Sequence, residues 1–265
     1  MDLMSYILGK KAGGGGGVTP TGTIDITSNG VTDVTNYAYA DVNVSGGGAE
    51  DYFATTTNQS QVGYLIKKLP EAEITATMLM GFSGNTNLVE IEALSTPNVA
   101  NLASAFNYCS NLEKIKLITS STLTSLYGTF YGCLKLNEIS LSNTENVTSM
   151  EDCFRNCSGL VTIPQLNTNK VTSFKRFVYG CSNLENLPQL DFSSATDLSE
   201  MFVDCGKFTD ASLNNILASC IGATSYTGTK TLTQLGIYSY RYSASRIQAL
   251  SNYQAFLDAG WTIGY

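Results

Sequence analysis

Residues 147–170 read VTSMEDCFRNCSGLVTIPQLNTNK, and the same 24-residue unit can be laid over the chain on either side of them. Cys109, Cys133, Cys157, Cys181 and Cys205 are each 24 residues apart. Phe82, Phe106, Phe130, Phe154 and Phe202 hold a second column, with Val178 as its exception, and Leu88, Leu112, Leu136, Leu160, Leu184 and Phe208 hold a third. An interval kept over about six units is the signature of a repeat architecture, in which each unit buries its apolar face against its neighbours. The expected fold is a stacked solenoid with a long exposed face, a geometry suited to binding rather than to an enclosed reaction.

Inside one unit the apolar period changes. Val99, Leu102, Ala105, Phe106 and Cys109 fall at steps of three and four, which predicts one buried helical stripe. Leu112, Ile115 and Leu117 then tighten to an alternation around Lys116, which predicts a short strand. Later units repeat the strand as Leu136, Ile139 and Leu141, then as Leu160 and Ile163 with Pro164, then as Leu184 and Leu187 with Pro188. Proline has no N–H to give to a ladder, so the last two strands are expected to end or bend there. Asn and Thr at 143–146 and 167–170 supply the turns back, because their side chains satisfy local backbone groups. The fold class that follows is an α/β repeat stack of about six 24-residue units with a parallel β-sheet on one face.

The unit closely resembles the BspA-like, or treponemal-type, leucine-rich repeats of bacterial and phage proteins, over roughly residues 75–218. That resemblance implies a curved, right-handed leucine-rich-repeat solenoid with one parallel strand per turn, and a role as an adhesin or recognition surface. The first unit departs from the pattern, with Asn85 where the others carry cysteine, and the last loses its strand signature after Phe208. Atypical end units are what a stack needs to cap its open ends.

The rest of the chain divides around the repeats. Residues 1–17 are a short peptide ending in five glycines, and residues 18–48 read as a small all-β module closed by Gly46, Gly47 and Gly48. In that module Ile24 and Ile26 alternate with polar residues, Asn29-Gly30 is a hairpin signal, and Val31, Val34, Val42 and Val44 continue the strand pattern. Residues 49–74 are expected to cap the front of the stack with Tyr52, Phe53, Tyr64, Leu65, Ile66 and Leu69. Residues 219–265 form a helical cap behind it. A helical pattern over 213–220 leads into this cap, and a second over 244–259 puts Ile247, Leu250, Tyr253, Phe256 and Leu257 on one side. Gly260 then serves as a helix stop before Trp261.

The stretch GTIDITSNGVTDVTNYAYADVNV resembles a short module found near the ends of tail-associated proteins in phages of gut Gram-positive bacteria, and the opening MDLMSYILGKKAGGGGG is similar to the starts of such virion proteins. The similarity implies that residues 1–48 attach the chain to other virion proteins and that the particle is assembled in the host cytoplasm. The apolar stretch Leu3 to Leu8 is too short for a signal-peptide core, and no apolar run approaches 18 residues, so neither export nor membrane insertion is expected.

Chemistry is sparse. With a formal charge of −7 and no basic cluster larger than a Lys-Lys or Lys-Arg pair, nucleic-acid binding is not expected. Histidine is absent. Cys153 and Cys157 lie four apart, yet the remaining thiols recur one per unit, the pattern of small buried side chains, so free thiols and no metal are expected. The glycine runs lack a Gly-Lys-Ser/Thr ending and read as linkers. The acid pairs Glu90/Glu92 and Glu151/Asp152 read as solvated, so neither an enzyme nor a cofactor is expected. What remains is recognition. The outward strand positions drift from unit to unit: Glu90 and Glu92, Lys114 and Lys116, Glu138 and Ser140, Thr162, Asn186. These eight are the candidate partner-binding residues, joined by Tyr108, Tyr127, Tyr131 and Tyr179 on the helical stretch. The expected partner is a host cell-surface protein or glycan, with homo-oligomerisation left open. The competing functions are a structural or decoration protein of the virion and a bacterial surface adhesin.

Overall fold

A computed structural model describes residues 68–69, 72–73, 82–238 and 240–264. The peptide, the small β module, the glycine runs and nearly all of the front cap lie outside the described residues.

Each unit turns back on itself through an arc of consecutive tight turns. The backbone N–H groups of Leu102, Ser104, Phe106 and Tyr108 donate to Ser125, Tyr127, Thr129 and Tyr131 of the next unit, at 3.1, 2.8, 2.9 and 2.6 Å. Between them, the N–H groups of Ala105, Asn107 and Cys109 close turns onto the carbonyls of Leu102, Ser104 and Phe106, at 3.0, 3.3 and 3.2 Å. Alternate groups thus bond within the unit and across to the neighbour. The pattern recurs from Leu126 to Gly132, from Met150 to Asn156 and from Phe174 to Gly180.

The expected helical stretch is therefore corrected: residues 99–109 and their equivalents contain no α-helix. The reason is a pair of left-handed residues in every unit. Ser104, Gly128, Asp152, Arg176 and Glu200 have φ between 52° and 57°, and Tyr108, Gly132, Asn156, Gly180 and Asp204 have φ between 58° and 76°. One such residue every fourth position interrupts a right-handed helix, yet leaves the three-and-four spacing that buries Leu102, Ala105, Phe106 and Cys109. For a residue with a side chain this conformation costs roughly 1–2 kcal/mol. The bond that each N–H makes to the next unit offsets it.

The core is a set of columns. Phe82, Phe106, Phe130 and Phe154 stack with centroids 5.2, 5.7 and 5.3 Å apart and interplanar angles of 17°, 7° and 4°. Beside them, the Cys109, Cys133, Cys157, Cys181 and Cys205 thiols donate to the carbonyls of Phe82, Phe106, Phe130, Phe154 and Val178, at 2.9 to 3.1 Å. The Phe106 carbonyl also accepts the Cys109 N–H, so both its lone pairs are used. Where the phenylalanine column is interrupted by Val178, its neighbour Phe177 takes the place of the small Ala105, Thr129 and Cys153 and packs edge-on against Phe154 at 5.4 Å. The exchange keeps volume in that layer, which is why the column tolerates it.

The sheet is shorter than the stack. Strands β3 (Glu90–Thr96), β4 (Lys114–Thr119) and β5 (Glu138–Leu141) pair in parallel. Two two-residue segments, β1 (Lys68–Leu69) and β2 (Ala72–Glu73), pair in parallel with β3. In the next two units this ladder is reduced to one bridge, between Thr162 and Asn186. Pro164 and Pro188 stand in the column of Lys116 and Ser140, where a proline has no N–H for the ladder.

Helix α1 (Asp210–Ile221) closes the far end. Its Ser212 hydroxyl donates to Glu185 and accepts from the Leu187 N–H, Asn215 donates to the Leu187 carbonyl, and Ser219 accepts from the Leu190 N–H. A polar stripe on one helix face thereby takes up backbone groups of the last edge, which blunts that edge against pairing with another chain. The cap also extends the arc, since Glu200 and Phe202 donate to Gln234 and Leu235. The predicted helix over 244–259 is two, α2 (Ala244–Gln248) and α3 (Tyr253–Asp258). The break follows from α1: its Asn214 side chain accepts the Asn252 N–H, and its Asn214 carbonyl accepts from the Asn252 amide. Gly260, at φ 84°, ends α3 as expected, and Trp261 is buried against Tyr226 and Phe256.

Candidate functional site

The eight strand-face residues do share one surface. Glu90, Lys114 and Glu138 are register partners, as are Lys116 and Ser140, while a bulge between Ile91 and Leu94 adds Glu92 at the edge of the same columns. Lys114 reaches Glu138 at 3.0 Å. Its ammonium is held above the usual range by that hydrogen bond first, with Glu90 and Glu92 adding to it. Further along, Asn186 donates to the Thr162 hydroxyl at 3.4 Å. Charge alternates along the column, and such exposed pairing steers little and stabilises little.

The opposite side of the unit, over the arc, is richer. Arg155 lies between the rings of Tyr131 and Tyr179, 5.1 and 5.0 Å from their centroids. Tyr108 packs on Tyr131 at 4.8 Å, and the hydrogen bond between the two phenols holds the Tyr108 hydroxyl above its ordinary range. Tyr108 is 51% exposed, and its ring rests over Gly132, where a Cβ would lie only 2.8 Å from Cδ1. Asn156 lies over Gly180, with its Oδ1 in the space that a Cβ there would take. Glycine at these two left-handed positions lets a flat side chain lie against the backbone of the next unit.

Ion pairs hold the base of this surface. Arg176 binds Asp152 through Nε at 2.9 Å and Nη2 at 3.1 Å, and Arg155 reaches the same carboxylate at 3.3 Å. Glu151 takes Arg176 at 3.4 Å and Lys175 at 3.9 Å. Of the four tyrosines singled out from the sequence, Tyr108, Tyr131 and Tyr179 converge, whereas Tyr127, 44% exposed, stands in the column of Glu151 and Lys175. Sequence reasoning missed Arg155 and the Asp152–Arg176 pair. The signal was present: Tyr131, Arg155 and Tyr179 are one column at the repeat interval.

A groove of about 760 Å³ between the last units and α1 is lined by Gln165, Asn167, Gln189, Asp191 and Ser219 among others, and it gathers no acid–nucleophile pair. All seven cysteines are buried free thiols, pushed up by burial, Cys109 and Cys205 to about 12. Among the described residues no three Cys, Asp or Glu side chains cluster as metal ligands, and no helix is long and apolar enough to cross a membrane.

The repeat region matches the family described as Mycoplasma protein of unknown function, DUF285, over residues 75–185 and 124–221. Together these cover more than half of the sequence. The chain belongs to this family. The DUF285 match supports the likeness to BspA-like repeats and coincides with the stacked units described above. It does not reach the first 74 residues, so the virion-like N-terminal stretches draw no support from it. No curated protein matches the chain.

Proposed function

We propose that this chain is a non-enzymatic recognition protein whose units form a leucine-rich-repeat solenoid, displayed on a phage particle that residues 1–48 join to other virion proteins. The observation that carries the proposal is the tyrosine–arginine ladder of Tyr108, Tyr131, Arg155 and Tyr179, exposed at Tyr108 and half-buried at the other three, set on a core whose columns scarcely vary. Tyrosine and arginine are the residues that dominate binding energy at recognition surfaces. A stack in which every unit bonds to the next holds them rigidly, so little ordering entropy is lost on binding. The contact falls on the arc face. The strand face, with Glu90, Lys114 and Glu138 paired along one column, serves solubility.

The test is direct. Purified full-length protein, fluorescently labelled, is expected to bind intact host cells saturably, and antibody against it is expected to label purified particles. Labelled particles without cell binding would favour a structural or decoration role. Cell binding without any protein in the particles would favour a bacterial surface adhesin.

A further inference from the structure

Resting on that proposal, we infer that the arc face is a carbohydrate-binding row, taking an extended neutral oligosaccharide along Tyr108, Asn156 and Tyr240. Its first support is shape. The Tyr108 ring rests with one edge over Gly132 and against Tyr131 and leaves half of its surface in water, and the C–H groups of one pyranose face meet the negative face of such a ring favourably. Asn156, with its Oδ1 turned onto Gly180, has its amide N–H groups as donors to sugar hydroxyls two units further on, about 10 Å away at the usual strand spacing.

The second support is independent of the repeat. Beyond the last unit the chain no longer follows the 24-residue interval, yet it returns to the same row. Tyr238 and Tyr240 stack at 5.5 Å and 10°, Arg241 covers Tyr240 at 5.5 Å, and Tyr240 is 72% exposed. Arg241, whose guanidinium covers Tyr240, pairs with Asp204 at 2.8 Å, and Asp204 stands in the column of Tyr108 and Asn156, which places Tyr240 at the end of the row. Inheritance of one repeated motif does not account for aromatics supplied by a non-repeated segment. From Tyr108 to Tyr240 the row crosses about five units, roughly 20 to 25 Å, which fits several linked sugar rings better than one.

Charge and polarity select the ligand class. Arg155, Arg176, Lys175 and Arg241 stand against Asp152, Glu151, Asp204 and Glu200, four charges of each sign, so the row carries no net charge to draw an acidic polymer, and the chain as a whole is at −7. The exposed aliphatic side chains Ile118, Leu134 and Val161 belong to other columns, so the row lacks the aliphatic anchors of a protein-binding patch. Rings, amide and phenol groups without net charge match a neutral sugar chain.

Full-length protein is tested on immobilised neutral polysaccharides (a β-1,3-glucan, a β-1,4-glucan, a galactan and a mannan) beside an acidic one, and oligosaccharides from the best binder are then titrated by calorimetry. At least one neutral polymer is expected to bind. Tyr108→Ala and Tyr240→Ala should each weaken binding about tenfold or more, whereas Tyr108→Phe, which keeps the ring, should retain it. Lys116→Ala on the strand face should leave it unchanged. Binding only to the acidic polymer, or equal binding by Tyr108→Ala and the parent, overturns the inference. If the protein binds host cells but none of the sugars, and protease treatment of the cells abolishes that binding, the partner is a protein: the carbohydrate inference falls and the recognition proposal stands.

Discussion

The arc is built the same way in unit after unit, whereas the sheet thins from strands of seven, six and four residues to single bridges. Both lie on one core, so the contrast separates what holds the stack from what decorates it. In the arc, each unit sends four backbone bonds to its neighbour and adds one thiol bond, regardless of whether the side chains outside are Tyr, Glu or Lys. In the sheet, two prolines suffice to end regular pairing, and the units beyond them remain buried and stacked. The arc and the phenylalanine–cysteine columns therefore carry the fold, and the sheet is the part that sequence variation is free to erode.

The widest test is alkaline. Folded thiols with pKa values raised above the unfolded value contribute stability that is whole below about 8.5, the unfolded thiol value, and is lost as pH climbs toward the folded values. With Cys109 and Cys205 at about 12 and the other thiols of the column also raised, circular dichroism should show unfolding at rising pH between about 9 and 12. In the same vein, a disulfide-exchange reagent at pH 8 should modify few cysteines in the native protein and all seven after denaturation. Ready native modification would mean that the columns are not sealed.

Phe130→Ala removes a ring stacked on both sides and should cost about 3–5 kcal/mol by urea denaturation. Ser219→Ala strips the acceptor from the buried Leu190 N–H at the capped edge and should cost about 1–3 kcal/mol. Gly180→Ala, at φ 76° and against Asn156, should cost roughly 1–2 kcal/mol, and an unchanged denaturation midpoint would show that the arc tolerates a Cβ there. The smallest effect belongs to the strand face. Lys114→Ala breaks the pair with Glu138, yet the melting temperature should not move measurably, because exposed ion pairs contribute little. A clear drop would mean that the sheet face, and not only the arc, supports the stack.

The repeat interval was legible because buried columns must recur wherever one unit stacks on another, and so Phe106, Cys133 and Leu160 announce their burial by spacing alone. The ends of the sheet were legible at Pro164 and Pro188, since a missing N–H is a property of the residue itself. The aromatic row was half legible: exposed tyrosines could be named, but not that Arg155 would lie between two of them.

By itself, then, the sequence determined the unit, its buried columns, the order of strand and turn, and the helix that closes the far end, because apolar spacing and proline act locally. Tertiary structure alone decided that the three-and-four spacing would make stacked turns and not a helix. That spacing buries the same side chains in either form, and the choice lies with each N–H, whose partner in Leu102, Ser104, Phe106 and Tyr108 is a carbonyl 23 residues away. It also decided that Ser212, Asn215 and Ser219 would face the last strand edge, since a polar stripe on a helix has no meaning until an unpaired backbone lies against it.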